Sequence, residues 1–219
     1  RVPYRARGFA INTFRVDGAT VNGGTDFNGQ GLSINMDLYD RVEILRGANG
    51  LLGTTGDPSG VVNLVRKAPS KQATRAVSVS LGSWDKKHLM VDLGQPLNSD
   101  GSVRGRLVVS GDDSGGFRDR EKDQSLGVLA HVVADLGART QLGVGLQYER
   151  RRIDGATWGT NVPIWFADGT PTSFRRSMSA AAHWSYSERD TQTAFANLEQ
   201  QFSRDWSTSL RAAYTEGDA

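Results

Sequence analysis

Apolar and polar residues alternate along most of the chain from Thr74 onward. In one segment, Leu89, Val91 and Leu93 are separated by more polar positions. Seven segments repeat this period of two, near residues 76–81, 88–93, 103–110, 126–132, 141–148, 194–202 and 206–214. This period is typical of β-strands that have one apolar face and one polar face. The sequence therefore predicts that residues 71–219 are mainly antiparallel β-structure.

The connections between these segments differ in length. Those near residues 98–101, 136–139 and 203–205 are short, whereas those near 112–123 and 151–190 are long and polar. Outer-membrane β-barrels have short turns on one side of the membrane and long loops on the other. A soluble antiparallel sandwich would show the same strand alternation, but the asymmetry of the loops favours the barrel.

The alternation also predicts which side chains share a face. On an outer-membrane strand the apolar positions face lipid and the polar positions face the interior. We expect the first set to comprise Leu89, Val91, Leu93, Leu107, Val109, Leu142, Val144 and Leu146. We expect the second set to comprise Arg104, Arg106, Gln141 and Gln147.

Residues 1–70 have a different texture. Short strand-like runs occur at Tyr4–Arg7, Phe14–Val16, Val42–Leu45 and Val61–Val65. A short helix is predicted at Ile34–Tyr39, with Asn35 or Ser33 as its cap. The loop between the last two runs contains five glycines, which allow tight backbone folding. We expect those two runs to be strands of one small mixed sheet.

The segment Arg41–Pro69, RVEILRGANGLLGTTGDPSGVVNLVRKAP, also carries a family resemblance. It resembles the end of the plug domain of TonB-dependent outer-membrane receptors, although Ala48 replaces the usual Pro and Ser59 replaces a Gly. The matching positions are Val42, Glu43, Ile44, Leu45, Arg46, Gly47, Leu52, Gly53, Gly56, Pro58, Gly60, Val62, Asn63 and Lys67. Upstream, Arg7-Gly8-Phe9 and Val16-Asp17-Gly18 match two further plug signatures.

This resemblance implies a fragment of a longer receptor. Residues 1–70 would be the C-terminal portion of the plug domain. Residues 71–219 would be the first strands of an incomplete transmembrane barrel, which has 22 strands in the family. Arg7, Glu43 and Arg46 would contact the barrel wall through charged hydrogen bonds. A salt bridge within the plug is the alternative for these charges.

The composition argues against several other functions. Lys and Arg number 26 and Asp and Glu number 24, and this balance argues against nucleic acid as a partner. The chain has no cysteine, and its three histidines, His88, His131 and His183, are far apart in sequence. No catalytic or phosphate-binding motif is present. We therefore expect no enzyme activity, no cofactor and no metal ligand set.

The long connection of residues 150–190 is the predicted ligand-binding element. Its aromatic and cationic side chains include Trp158, Trp165, Trp184, Tyr186, Arg175 and Arg176. Aromatic walls with cationic partners suit an anionic ferric chelate, and the loop resembles those of ferric-siderophore receptors. The alternative is that these aromatics pack the loop onto itself or onto the barrel rim.

The expected function is import of ferric siderophores across the outer membrane of a Gram-negative bacterium. The resemblance implies three partners: a ferric siderophore, outer-membrane lipid, and the TonB energy-coupling protein acting through a segment not included here. A receptor for cobalamin, haem or an oligosaccharide is the alternative within the class. A secreted β-sandwich hydrolase and a passive porin are alternatives from other classes.

Overall fold

A computed structural model describes residues 5–6, 8–11, 13–21, 34–45, 60–157 and 162–218. Its strands form three sheets, of two, four and seven strands. The two-stranded sheet is a short hairpin of β1 (Arg5–Ala6) and β2 (Phe9–Ala10). Within the described residues no helix is both long and apolar enough to cross a membrane.

The four-stranded sheet, here called the small sheet, contains the predicted plug strands. It is built from β3 (Thr13–Val16), β4 (Ala19–Val21), β5 (Tyr39–Leu45) and β6 (Val61–Arg66), in the order β4-β3-β6-β5. β3 and β6 are parallel and the other neighbours are antiparallel, so the sheet is mixed. The predicted pairing of the Val42 and Val61 runs in one sheet is confirmed. The glycine loop between them lies outside the described residues.

A single turn of 3-10 helix at Met36–Leu38 precedes β5. The Asn35 side chain accepts a hydrogen bond from the backbone N–H of Asp37 at 3.1 Å, which caps this turn. The prediction of Asn35 as a cap is confirmed, although the helix is shorter than Ile34–Tyr39. Ser33, the other candidate cap, lies outside the described residues.

The seven-stranded sheet, here called the wall, is an antiparallel meander in chain order. Its strands are β7 (Thr74–Gly82), β8 (Lys86–Pro96), β9 (Val103–Gly115), β10 (Lys122–Gly137), β11 (Thr140–Asp154), β12 (Tyr186–Gln201) and β13 (Ser207–Asp218). The predicted fold class, a small mixed sheet followed by an unclosed antiparallel sheet, is confirmed.

The wall strands extend further into the long connections than the sequence predicted. The expected loops at 112–123 and 151–190 shrink to residues 116–121 and 155–185. Apolar alternation stops at these strand ends, but hydrogen-bonded pairing continues because opposite charges face each other across the strands. Arg151 pairs with Asp123 and Lys122 pairs with Asp113. Cross-strand ion pairs of this kind stabilise a ladder without any apolar pattern.

The two faces of the wall divide as the alternation predicted. Leu89, Leu107 and Leu146 are exposed on one face, whereas Arg104 and Gln147 are buried on the other. The remaining members of the two predicted sets follow the same strand parity. The small sheet packs against this face and covers Gln147, whereas Arg104 contacts Gly101 and Asp135 of the wall itself. The shared core consists of Val16, Leu38, Tyr39, Leu64, Val108, Leu129 and Phe195.

Candidate functional site

The centre of the contact between the small sheet and the wall is Arg66, the last residue of β6. Its side chain is 7% exposed, and its Nε donates to Oε1 of Gln147 on β11 at 2.6 Å. The guanidinium also lies over the ring of Phe195 on β12, 4.3 Å from the ring centroid. One buried cation thus contacts two wall strands, through a hydrogen bond and a cation–π interaction.

Asp17 supplies the opposite charge from within the small sheet. Its carboxylate accepts from the Arg66 backbone N–H at 2.9 Å and from the guanidinium at 2.8 Å. Asp17 has a φ of 51°, in the left-handed region, and starts the turn that links β3 to β4. Asp17, the aspartate of the Asp-Gly signature, therefore neutralises the charge of Arg66 within the small sheet. The wall itself offers Arg66 an uncharged amide and an aromatic ring.

Tyr39 and Asn35 extend this contact along the same edge of the small sheet. The Gln147 amide donates to the Tyr39 hydroxyl at 2.9 Å and also to Glu149. Glu149 accepts from the Asn35 backbone N–H at 2.7 Å. Burial, and next the charge of Glu149, raise the pKa of Tyr39 to about 12. We call Asn35, Tyr39, Arg66, Gln147 and Glu149 the seat cluster.

Glycines on the inner face of the wall allow this close approach. A Cβ at Gly127 would lie 2.4 Å from Nδ2 of Asn35, and that amide donates to Ser110 Oγ at 2.9 Å. A Cβ at Gly145 would lie 2.3 Å from the Phe195 ring and 2.7 Å from the backbone oxygen of Ala130. No side chain other than hydrogen fits at either position without displacement.

A second polar cluster lies where the small sheet continues into the wall. The Arg106 guanidinium binds both oxygens of Asp92, at 2.8 and 2.7 Å, and Lys67 Nζ lies 3.0 Å from the same carboxylate. Arg106 also donates to the backbone oxygen of Ala68 at 2.9 Å. We call Lys67, Asp92 and Arg106 the junction cluster, since β7 begins a few residues after Lys67.

The three predicted contacts between plug and barrel have different outcomes. Arg7 and Arg46 lie outside the described residues. Glu43 accepts hydrogen bonds from Asn63 on β6 and from Arg41 on its own strand, each at 2.8 Å. Both partners belong to the small sheet, which corresponds to the salt bridge within the plug that the sequence left as the alternative.

Part of the predicted aromatic loop forms a small hairpin. Trp165 and Pro171 form an isolated antiparallel bridge, and Asp168 closes the turn by accepting hydrogen bonds from Thr170. These bonds from Thr170 lower the pKa of Asp168. The hairpin leaves Trp165 57% exposed, and Trp184 further along is 81% exposed. Trp158 lies outside the described residues.

The other predicted ligand residues are more dispersed. Tyr186 is the first residue of β12 rather than a loop residue, and Arg152 of β11 lies over its ring at 4.3 Å. Arg175 pairs with Asp119 at 2.6 Å, which ties the long loop to the neighbouring one. Arg176 is exposed. None of Trp165, Trp184, Arg175 and Arg176 lines the three clefts described along the wall.

Most residues of the two clusters were not recognisable from the sequence as functional candidates. A usable signal was present, because Asp92, Arg106 and Gln147 are charged or amide side chains on the polar face of a wall strand. That parity predicts an inward side chain, but it does not reveal which plug residue the side chain meets. Both clusters hold the small sheet against the wall, and neither contains a nucleophile paired with a base.

Comparison with known proteins places these features in a family context. Residues 2–61 match the family model described as TonB-dependent Receptor Plug Domain. The chain is 37% identical over 217 residues to the ferric-pyoverdine 358 receptor of Pseudomonas putida, covering 97% of this chain and 26% of that protein. It is also 37% identical over 205 residues to the ferripyoverdine receptor of Pseudomonas aeruginosa, covering 93% and 25% respectively.

Solved structures show the same similarity in three dimensions. The receptor FpvA of P. aeruginosa, in a complex with iron and a heterologous pyoverdine, superimposes with a TM-score of 0.91 at 34% identity. That alignment covers 98% of this chain and 29% of the other. The alcaligin receptor FauA of Bordetella pertussis gives a TM-score of 0.77 at 28% identity, with 99% and 32% covered. The chain spans about a quarter of the length of the curated relatives it matches.

Proposed function

Because this chain belongs to the TonB-dependent receptors, we propose that the protein containing it imports a ferric siderophore through the outer membrane. The observation that carries the proposal is the seating of the small sheet on the polar face of the wall. That sheet, the plug, would block the barrel at rest. Import would require it to leave the seat cluster while the junction cluster holds.

The bonding of the two clusters supports this division. At the seat, the wall presents the Gln147 amide to Arg66, whose charge is already neutralised by Asp17 inside the plug. Separation there leaves no lone cation inside the plug. At the junction, Asp92 of the wall binds both Lys67 and Arg106 directly. Separation would break the Lys67–Asp92 pair, in which both partners are charged, whereas the Arg66–Gln147 bond has an uncharged acceptor, so the junction should hold longest.

The relatives suggest the ligand class. The curated relatives from Pseudomonas that align over 93–97% of the chain are receptors for ferric pyoverdines, so a ferripyoverdine is the first compound to test. We propose that Trp165 and Trp184 add contact area for such a chelate, with Arg175 or Arg176 matching residual negative charge. Trp158 and Tyr186 remain candidates for the same role.

We propose further that the receptor works with the TonB energy-coupling protein and breaks no covalent bond. Its place would be the outer membrane, with Leu89, Leu107, Leu146 and their neighbours against lipid. The exposed apolar face of the wall supports this location, since 44–64% of each of these three side chains is accessible. In water, such a continuous apolar face would favour aggregation.

The direct test is uptake of radioactive iron by a strain that lacks its own siderophore receptors and expresses the full-length protein. We expect uptake with one or more ferric pyoverdines, and loss of uptake when TonB is deleted. Uptake of cobalamin or haem instead would contradict the siderophore proposal. Passage of solutes without TonB would contradict the plugged receptor.

The ligand residues are tested by fluorescence quenching during titration with the imported chelate. Replacing Trp165 or Trp184 by Ala should weaken binding by about 2 kcal/mol if the residue is a hot spot. The matched control is Trp206→Ala, because Trp206 is 74% exposed but lies in the short turn between β12 and β13, at the opposite end of the wall strands from the long loop. If all three variants bound the chelate with the same affinity, Trp165 and Trp184 would not belong to the binding site.

A further inference from the structure

A cleft of about 440 Å³ lies beside the seat cluster, between the 3-10 helix of the plug and the wall. Asp37 comes from that helix, His88 from β8 and Asp112 from β9. The three side chains are half-buried, with 26%, 16% and 32% exposed respectively. Neither the wall nor the plug alone assembles this group, since each supplies a different part of it.

The imidazole of His88 is oriented by hydrogen bonding. Its Nδ1 lies 3.0 Å from Oδ1 of Asp112, and the other carboxylate oxygen, Oδ2, accepts from Ser125 Oγ at 3.2 Å. The other ring nitrogen, Nε2, faces Oδ2 of Asp37 at 3.8 Å, which is beyond hydrogen-bonding distance. Nδ1 and the Asp112 carboxylate are thus already at the spacing of two ligands of one ion, and an ion bound by both would take the place of the hydrogen bond between them.

The spacing and the ligand types also suit a divalent transition-metal ion. One ligand atom from each of the three residues lies within 4.8 Å of the other two. Ligand atoms around a tetrahedral Zn²⁺ are separated by about 3.4 Å, so half-buried side chains need to move by about 1 Å. Two carboxylates and one imidazole together offer the oxygen and nitrogen ligands that such an ion takes.

The nearby cations are mostly engaged elsewhere. The cleft is also lined by Lys86, Asp123, Glu149, Arg150 and Arg151. Arg151 binds Asp123 and Arg150 binds Glu188, so both arginines have carboxylate partners of their own. Among these lining residues, Lys86 is the cation whose charge would oppose binding of a metal ion.

We propose that Asp37, His88 and Asp112 bind one divalent transition-metal ion, with Zn²⁺ as the representative, and that the ion joins the plug to the wall. Imidazole nitrogen and carboxylate oxygen are both good ligands for this ion. Bound there, the ion adds a link at the seat side of the plug. If the import proposal above is also right, Zn²⁺ slows release of the plug.

The test is isothermal titration of the chelator-treated full-length receptor with Zn²⁺. The wild type should bind one more ion per chain than His88→Ala. Asp37→Asn should lower the affinity of that site at least about tenfold. The matched control is His183→Ala, because His183 is exposed in the long loop and should keep the wild-type stoichiometry.

Cobalt supplies a second readout that does not depend on folding stability alone. Co²⁺ at the site should give ligand-field absorption that disappears in His88→Gln, a variant that preserves size and polarity. Equal Zn²⁺ stoichiometry in the wild type and in both His88 variants would overturn the proposal. That result would leave siderophore import standing, because uptake is measured without added zinc.

Discussion

The two polar clusters between plug and wall are both buried, yet they are bonded in different ways. The junction cluster is ionic across the interface: Asp92 of the wall binds Lys67 on the plug side and Arg106 on the wall. At the seat cluster, Arg66 forms its ion pair with Asp17 inside the plug. Gln147 and Phe195 of the wall contact Arg66 through a hydrogen bond and a cation–π interaction. Glu149 is the wall carboxylate of the seat, and it meets a backbone N–H rather than a cation.

This difference fits a plug that is held at one place and released at another, as the proposed import requires. Lys67 and Asp92 pair across the interface where the chain is in any case covalently continuous, whereas the charge of Arg66 is neutralised within the plug. A plug held by ion pairs on every side would leave several unpaired buried charges on release. At the seat cluster, separation would instead break hydrogen bonds, and entering water can form new bonds with the same groups.

The largest expected effect is loss of the junction. Asp92→Ala leaves Arg106 and Lys67 buried without their shared carboxylate, which should reduce the free energy of unfolding by about 3–5 kcal/mol. Denaturant unfolding of the full-length receptor in detergent, followed by tryptophan fluorescence, measures this.

The control for Asp92 is Asp113→Ala, because Asp113 pairs with Lys122 on the exposed side at 3.4 Å. An exposed pair is worth about 1 kcal/mol or less, so this variant should be close to wild type. If Asp92→Ala lowered the free energy of unfolding as little as Asp113→Ala, the junction cluster would not be the strongest contact of the interface.

An intermediate effect is expected from filling the wall under the seat. Gly145→Ala places a methyl group 2.7 Å from the Ala130 backbone oxygen and against the ring of Phe195, which supports Arg66. Overpacking of this kind costs about 1–3 kcal/mol. Hydrogen exchange should report faster opening of residues 34–45 and 60–66.

The control for Gly145 is Gly111→Ala, where the nearest atom to a new Cβ is 3.7 Å away, an ordinary contact. Exchange in that variant should match the wild type. Unchanged exchange in Gly145→Ala would show that the seat does not depend on the close approach of Phe195.

The smallest effect is a pH dependence at the seat. The pKa of Tyr39 is raised to about 12 in the folded protein, from 10.0 for an ordinary tyrosine. Unfolded tyrosine therefore ionises first, so stability from this group is complete below pH 10 and is lost as pH rises from 10 to about 12. Tyr39→Phe should lose that part of the slope in unfolding experiments across this range. Parallel slopes for the two proteins would contradict burial of the hydroxyl.

Much of the fold could be predicted from the sequence because strand alternation reports a local property. The period of two placed Leu107 and Arg106 on opposite faces correctly, and β-branched runs located β5 and β6. The strand ends were predicted too short, because the pairs Arg151–Asp123 and Lys122–Asp113 extend the ladder through charge rather than through hydrophobicity.

The candidate site could be predicted only in part, since it depends on contacts between distant residues. Strand parity points Gln147 inward, but its partners Arg66 and Tyr39 are 81 and 108 positions away. In a sequence, Gly127 and Gly145 indicate only a turn or a bulge. That they leave room for Asn35 and Phe195 is visible only in three dimensions. The metal-binding proposal has the same origin, because Asp37, His88 and Asp112 form no sequence motif.

The claim that the seat opens while the junction holds is tested most directly by reversible cross-linking during uptake. The chain has no cysteine of its own, which keeps engineered thiols specific within it. One cysteine pair at Asn35 and Ser110 bridges the seat, and another at Lys67 and Met90 bridges the junction while retaining Asp92 and Arg106. Each pair is closed with the same short, reducible bis-thiol reagent in cells that express the full-length receptor. We expect closure of the seat pair to stop iron uptake and reduction to restore it, whereas closure of the junction pair leaves uptake near the level of its own uncrosslinked control. Uptake that continues through a closed seat, or that stops when only the junction is closed, would contradict the account.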